Sequence, residues 1–324
     1  MKNQEKIFVI GHKNPDTDSI CSAIAYCDIK NRTTQESRYI PKRAGQINEE
    51  TEYVLNRFGV HPPGYLSNIG TQVKDMDIRL SPEANKSMSL KNAWDLMQEN
   101  SIVSLPIREK DGTLEGLITI GDIAKTYMDT TDSYLLSRAR TQYQRIAETI
   151  GGKVIEGNAH GYFIQGKIMV ATANPDKMKE YVEENDMVIM GNREEDHLQA
   201  IEQNVSCIIV GMGIEVTEKV LKLAHEKDIV IISSPYDTFT ISRLINQSIP
   251  VKYIMKTDNL VTFNTEDFTD DIQEVMIKHR HRAFPVINKK GKCIGTISRR
   301  NFLDMHRKKV VLVDHNEKDQ AVDN

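Results

Sequence analysis

Short apolar runs closed by polar turns recur along this chain, and the apolar period changes from one stretch to the next. Ile7-Phe-Val-Ile10 and Val310-Val-Leu-Val313 are unbroken apolar runs, which predicts two buried strands. After the first run, Ile20, Ala23, Ile24 and Cys27 recur at helical spacing. Lys167–Thr172, Met187–Met190, Cys207–Gly211 and Val230–Ser233 read as further strands alternating with helical patterns, which predicts a small α/β layer between roughly Tyr134 and Pro250.

An internal repeat flanks that layer. Leu96-Met97 matches Val275-Met276, and Leu105-Pro-Ile107 matches Phe284-Pro-Val286. Gly112, Gly116, Thr119 and Asp122 match Gly291, Gly295, Ser298 and Asn301. Met97 and Met276 are 179 residues apart, as are Asp122 and Asn301, so the copies align without a gap. Each copy predicts a helix, a short strand with Pro, a Gly turn, a second strand, and a helix opening at Asp122 or Asn301 (Ile123–Met128 and Phe302–His306).

Composition narrows the class without choosing a function. The chain has 324 residues, room for two or three domains, and an ordinary hydrophobic content of 39%. A net charge of −4 gives no electrostatic footprint for nucleic acid. The charged N-terminus runs straight into a strand, and no apolar stretch is long enough for a signal peptide or a membrane span, so a cytoplasmic protein is expected. Cys21, Cys27, Cys207 and Cys293 lack metal spacing and read as reduced core thiols.

The chemistry concentrates where the first and last strands end. His12, Asp16 and Asp18 follow one; Asp314 and His315 follow the other. Ligands of open α/β sheets bind outside the carboxyl ends of strands, so these ends are expected to be neighbours in one metal site, with everything between them an insertion. One imidazole and several carboxylates suit Mn²⁺, Mg²⁺ or Co²⁺. The alternative is a capped helix, with Asp16 or Asp18 as N-cap after a Pro turn and His12 incidental.

Gly11-His-Lys-Asn-Pro-Asp-Thr-Asp-Ser-Ile20 and Val313-Asp-His-Asn-Glu317 resemble two motifs of family II inorganic pyrophosphatases, in the DHH phosphoesterase superfamily. The resemblance implies His12 and Asp16 on one metal ion, Asp18 on a second, and Asp314 bridging both, with pyrophosphate as substrate. Tyr39 to Phe58, with Lys42, Arg43 and Gly45, also has the look of the family's second helical region. The family's Asp-His-His motif and its C-terminal Lys/Arg-bearing domain are not found before Asn324. The chain is therefore expected to be C-terminally truncated, to hold Mn²⁺ weakly and to be inactive alone.

Gly116-Leu-Ile-Thr-Ile-Gly-Asp122 and Gly295-Thr-Ile-Ser-Arg-Arg-Asn301 resemble the end of CBS domains, which occur in pairs and bind adenine nucleotides. The resemblance implies nucleotide contacts at Val103, Thr119, Ile120, Gly121 and Asp122 in one copy, and at Ser298, Arg299, Arg300 and Asn301 in the other. It assigns hydroxyls (Thr119, Ser298) to phosphate and Asp122 and Asn301 to ribose. The alternative is that Asp122 and Asn301 only cap helices. Arg280-His-Arg282 and Arg299-Arg300 are candidate partners of a polyphosphate, or simply solvated surface. Asn192-Arg-Glu194, Gly211-Met-Gly213 and Ser234-Pro-Tyr-Asp-Thr-Phe-Thr240 look like a DRTGG domain, with Met212 where a small residue is expected.

The fold class expected is α/β: a partial DHH-type parallel layer from both chain ends, with an inserted CBS pair and DRTGG domain. The expected boundaries are 1–66 and 309–324 for the DHH-type layer, 67–130 and 251–308 for the CBS domains, and 131–250 for the DRTGG domain. The expected function is a Mn²⁺- or Co²⁺-dependent pyrophosphatase inhibited by AMP or ADP, activated by ATP or a dinucleoside polyphosphate, and homodimeric through its CBS domains. The alternatives are a non-catalytic adenine-nucleotide sensor and another DHH phosphoesterase.

Overall fold

The computed structural model describes residues 6–35, 38–66, 70–128, 132–171, 175–302 and 309–313 (backbone only at 175–176). The chain divides into two compact units. The first comprises residues 1–78, 265–280 and 299–324, and the second comprises residues 79–264 and 281–298.

The first unit contains a four-stranded sheet in the order Lys309–Leu312, Ile7–Ile10, Tyr39–Arg43, Gly64–Tyr65, with parallel neighbours. Ile7 pairs with Lys309 and Ile10 with Leu312, so strands from opposite ends of the chain run side by side and end together. Val313 N–H donates to the Ile10 carbonyl, extending the ladder to the last described residue. The helix Thr17–Thr34 packs Ala23 and Cys27 against Val9, with Tyr39 and Val311 at the margin. This bears out the parallel layer expected from the two apolar runs.

The segment expected to resemble a helical region is a strand over Tyr39–Arg43, followed by a helix over Glu49–Arg57. The Asn31 side chain fixes that strand. It donates to the Tyr39 carbonyl and accepts from the Tyr39 N–H, at 2.8 and 2.9 Å. Tyr39 and Ile40 also favour extended backbone, and Pro41 cannot donate inside a helix.

In the second unit, Ile168–Val170, Met187–Met190, Cys207–Val210 and Val230–Ser233 form a parallel sheet closed by the antiparallel strand Lys153–Glu156. Alternate residues serve opposite faces. Ile189, Ile209 and Ile232 join one core cluster, while Val188, Ile208 and Ile231 join another. Burial on both sides explains the unbroken apolar runs. All four cysteines are free thiols, and burial pushes Cys27 up to about 11.

The repeat appears as two antiparallel hairpins, Ser104–Arg108 with Leu114–Thr119 and Phe284–Ile287 with Cys293–Ile297. Each carries a register shift at the same offset, Ile107/Arg108 and Val286/Ile287. The two also exchange partners. Arg79–Leu80, which leads into the first copy, pairs with Thr296 and Gly295 of the second. Lys256, which leads into the second, pairs with Leu117 of the first. Thr113 bridges to Lys292, its own counterpart in the repeat, so these residues lie at a local two-fold relation between the hairpins.

Candidate functional site

The first-copy site is built at the end of Leu114–Thr119, where the chain turns into the helix Ile120–Met128. That helix opens three residues earlier than expected because Thr119, not Asp122, takes the capping position. Asp122 N–H donates to Thr119 Oγ1 at 3.3 Å, and the Thr119 N–H and hydroxyl both donate to Asp122 Oδ2, at 2.9 and 2.6 Å. Such a reciprocal arrangement satisfies backbone donors that a helix start leaves open.

The second Asp122 oxygen faces elsewhere. Oδ1 is 3.3 Å from Lys256 Nζ, with the carboxylate 18% and the lysine 59% exposed. Lys256 comes from the partner-exchanged segment, held by Leu117 N–H donating to its carbonyl and its own N–H donating to the Leu117 carbonyl, both at 2.9 Å. A Cβ at Gly116 would lie 2.9 Å from the Lys256 carbonyl oxygen, so only glycine lets that segment approach. The Val103 carbonyl accepts from Ile120 N–H, while Val103 and Gly121 are exposed and Ile120 is half-buried. Val103, Thr119, Ile120, Gly121 and Asp122 are thus gathered at one strand end. Lys256 was missed by sequence reasoning; its one signal is that it leads into the second copy.

A short way down the same hairpin, Lys86 Nζ lies 2.7 Å from Glu109 and 2.6 Å from Glu115. The Lys86 ammonium holds the Glu109 carboxyl below its ordinary value, and the two carboxylates, Glu109 foremost, raise Lys86.

The second copy differs at its equivalent turn. Arg299–Phe302 is a 3₁₀ turn, and the helix expected over Phe302–His306 lies beyond Phe302 outside the described residues. Arg299 donates to the Met276 and His279 carbonyls at the end of the helix Thr269–Lys278, so its guanidinium serves a helix terminus. Asn301 Nδ2 donates to the Asp77 carbonyl at 2.6 Å. Arg300, Arg280 and Arg282 are exposed, and Ser298 is half-buried.

In the first unit, His12 and Asp16 are brought together, with Nε2 3.5 Å from Oδ1. Asp16 is also the N-cap of Thr17–Thr34, accepting from Ser19 N–H at 2.8 Å. The capped-helix reading therefore holds at Asp16, with His12 beside the same carboxylate. Asp18 Oδ1 accepts from the Ser22 hydroxyl at 3.3 Å. A Cβ at Gly11 would fall 1.8 Å from Ser19 Oγ, so the strand end is pinned onto the first helical turn. Asp314 lies outside the described residues, one position past Val313. Among the described residues, no three His, Cys, Asp or Glu side chains group closely enough to hold a metal ion, and no helix is long and apolar enough to cross a membrane.

Exchanged hairpins around a parallel α/β sheet define the class, a CBS pair built around a DRTGG domain. The CBS domain family matches residues 77–129 and 251–308, and the DRTGG domain family matches residues 145–248. A cobalt-dependent inorganic pyrophosphatase of Clostridium perfringens is 38% identical over 320 residues, 98% of this chain and 58% of that protein. A probable manganese-dependent inorganic pyrophosphatase of Thermotoga maritima is 30% identical, over 99% of this chain and 58% of that protein. The chain thus spans a little over half the length of these relatives. The crystal structure of the CBS and DRTGG domains of the C. perfringens regulatory region, complexed with its activator diadenosine tetraphosphate, aligns with a TM-score of 0.67 and 34% identity. It covers 71% of this chain and all of that one. The chain belongs to the CBS–DRTGG family that this regulatory region represents.

Proposed function

We propose that this chain carries the nucleotide-sensing region and part of the catalytic layer of a Mn²⁺- or Co²⁺-dependent inorganic pyrophosphatase, acting on pyrophosphate and regulated by AMP, ADP, ATP or a dinucleoside polyphosphate. The observation that supports it most is the parallel pairing of Ile7–Ile10 with Lys309–Leu312. That pairing carries both motif-bearing strand ends to one edge of one sheet, although the whole regulatory region lies between them in sequence.

The donor set fits the metal. The His12–Asp16 separation of 3.5 Å is near the ~3 Å spanned by adjacent ligands on bonds of about 2.1 Å. His12, Asp16, Asp18 and Asp314 would hold the ions, whose chemistry when bound is to lower the pKa of water and polarise phosphoryl oxygens. Asp16 orients His12 while fixing the helix start, so one carboxylate positions the motif in two directions.

In the regulatory region, ribose hydroxyls would donate to Asp122, and Lys256, released from Oδ1, would meet phosphate together with the Thr119 hydroxyl. Val103, Ile120 and Gly121 would border the base. Ser298, Arg299, Arg300 and Asn301 would form a second, weaker site, and the chain would dimerise through its CBS domains in the cytoplasm.

A second reading, a sensor without catalysis, is favoured by the first-copy site, whose Thr119, Asp122 and Lys256 all lie within the second unit. Mn²⁺ titration followed by electron paramagnetic resonance separates the two. Specific binding abolished by Asp16→Ala/Asp314→Ala supports the enzyme reading. Mn²⁺ uptake unaffected by the double substitution overturns it and leaves the sensor.

A further inference from the structure

Arg140, Arg145 and Lys252, from separate segments of the second unit, line one small cleft together with Ser87, Gln142 and Tyr162. Arg140, Gln142 and Arg145 belong to the stretch that opens the α/β layer, with Arg145 on the helix Tyr143–Thr149. Lys252 belongs to the 3₁₀ turn Val251–Tyr253 that follows the layer. Its N–H donates to the Lys86 carbonyl at 2.9 Å, which brings it beside Ser87. Gln142 pairs with Tyr162 in a short antiparallel ladder, and its Nε2 donates to the His160 carbonyl at 3.1 Å. Hydrogen-bonded backbone therefore supports the cleft on both sides. Thr119, Asp122 and Lys256 take no part in it.

Three observations define what fits. Among the described residues no carboxylate lines the cleft, and the side chains of Arg140, Arg145 and Lys252 make no ion pair or hydrogen bond. Their sequence neighbours do: Arg138 pairs with Asp132, and Lys86 with Glu109 and Glu115. Arg145 is half-buried, and its guanidinium donors have no protein acceptor. Like charges gathered in this way repel one another, and an anion seated among them replaces that repulsion with attraction. The cleft measures about 30 Å³, room for about two water-sized groups. That seats the oxygens of one oxyanion and excludes a nucleoside base.

We propose that this cleft is a binding site for a phosphoryl oxyanion, separate from the nucleotide motif. Arg140 and Arg145 donate to its oxygens as guanidinium forks, and Lys252 supplies a point charge from the far side. Free inorganic phosphate and the phosphoryl end of a larger molecule present the same chemistry here. Because the three cations come from the segments entering and leaving the α/β layer, the bound anion ties those segments together.

The probe is inorganic phosphate, titrated calorimetrically into the full chain at fixed ionic strength with a chelator present, so that no metal-bound phosphate contributes. Saturable binding is expected, with a dissociation constant of about 1 mM or below. Arg145→Gln should weaken it about tenfold. Lys252→Gln should weaken it less, and since Lys252 is exposed this variant keeps the test open if Arg145→Gln fails to fold. Lys256→Gln, at the nucleotide motif, should leave it unchanged. Methyl phosphate then separates the sources: equal affinity assigns the cleft to the end of a larger phosphorylated molecule, weaker affinity to the free ion, and either supports the site. Absence of saturable binding overturns the proposal, as does the same response to sodium chloride at matched ionic strength. Binding lost in Lys256→Gln and kept in both cleft variants also overturns it, because the phosphate would then sit at the nucleotide motif.

Discussion

The two copies of the repeat share a plan down to the register shift in each hairpin, yet they end in different chemistry. The helices Leu90–Glu99 and Thr269–Lys278 lie at the 179-residue offset, as do the hairpin turns. At the last step they diverge. Thr119 and Asp122 satisfy one another and leave Asp122 Oδ1 facing a lysine. In the second copy Asn301 gives its amide to Asp77, and Arg299 gives its guanidinium to a helix end. A repeat fixes backbone first, and the side chains at the same backbone positions can then serve a ligand in one copy and the scaffold in the other.

The largest expected effect follows from that inequality. Asp122→Ala should weaken AMP binding by roughly 1–3 kcal/mol, about fivefold to 150-fold, through lost ribose hydrogen bonds. Asn301→Ala should change it less than about threefold, since its amide is already engaged by the scaffold. Equal losses in parallel calorimetric titrations would break the comparison.

Exchanging the residue sharpens it. Asn301→Asp replaces the donor to the Asp77 carbonyl with a carboxylate, which should cost about 1–3 kcal/mol in urea unfolding and bring no gain in AMP affinity. A tighter site at unchanged stability would show that residue identity alone makes the copies unequal.

Smaller still is the capping contribution. Thr119→Val removes the hydroxyl that accepts from Asp122 N–H, and should lower stability by about 1 kcal/mol. Ser298→Ala should lower it by less, because the turn after Ser298 opens as 3₁₀ and Asn301 gives its amide to the Asp77 carbonyl.

The smallest effect concerns pH. Lys86 binds Glu109 and Glu115 in the first copy, where the offset positions in the second are Thr265, Asn288 and Ile294. Glu109 is lowered by Lys86, so its contribution is present above the ordinary glutamate range and is lost as pH falls through the lowered folded value. Glu109 and the Lys86 side chain are exposed while Glu115 is half-buried, so the loss should be salt-sensitive and about two- to threefold in hydrogen exchange. After correction for intrinsic chemistry, acid should loosen amides of Ser104–Thr119 more than those of Phe284–Ile297.

Much of this was legible in sequence because it depends on period and spacing. The gapless offset located both hairpins, and the apolar runs located both parallel sheets, including the pairing of the chain's two ends. Contacts that depend on exchange between segments were not legible. Lys256 reaches Asp122 from the stretch leading into the other copy, and nothing in its local sequence marks it. The Tyr39–Arg43 strand was masked by a resemblance, though its β-favouring residues and Pro41 spoke for extended backbone. The helix start at Ile120 depended on which of Thr119 and Asp122 would cap, and both types cap well. The first motif offered Asp16 as either an N-cap or a partner of His12, and spacing did not show that it is the N-cap and also lies 3.5 Å from His12.

The most direct test of a nucleotide-sensing first copy is isothermal titration of the full chain with AMP, beside Asp122→Ala at matched thermal stability. The expectation is micromolar-range affinity, about −8 kcal/mol, for the unmodified chain and a loss of about fivefold or more in the variant. No heat from the folded chain, or the same affinity in both proteins, would contradict it.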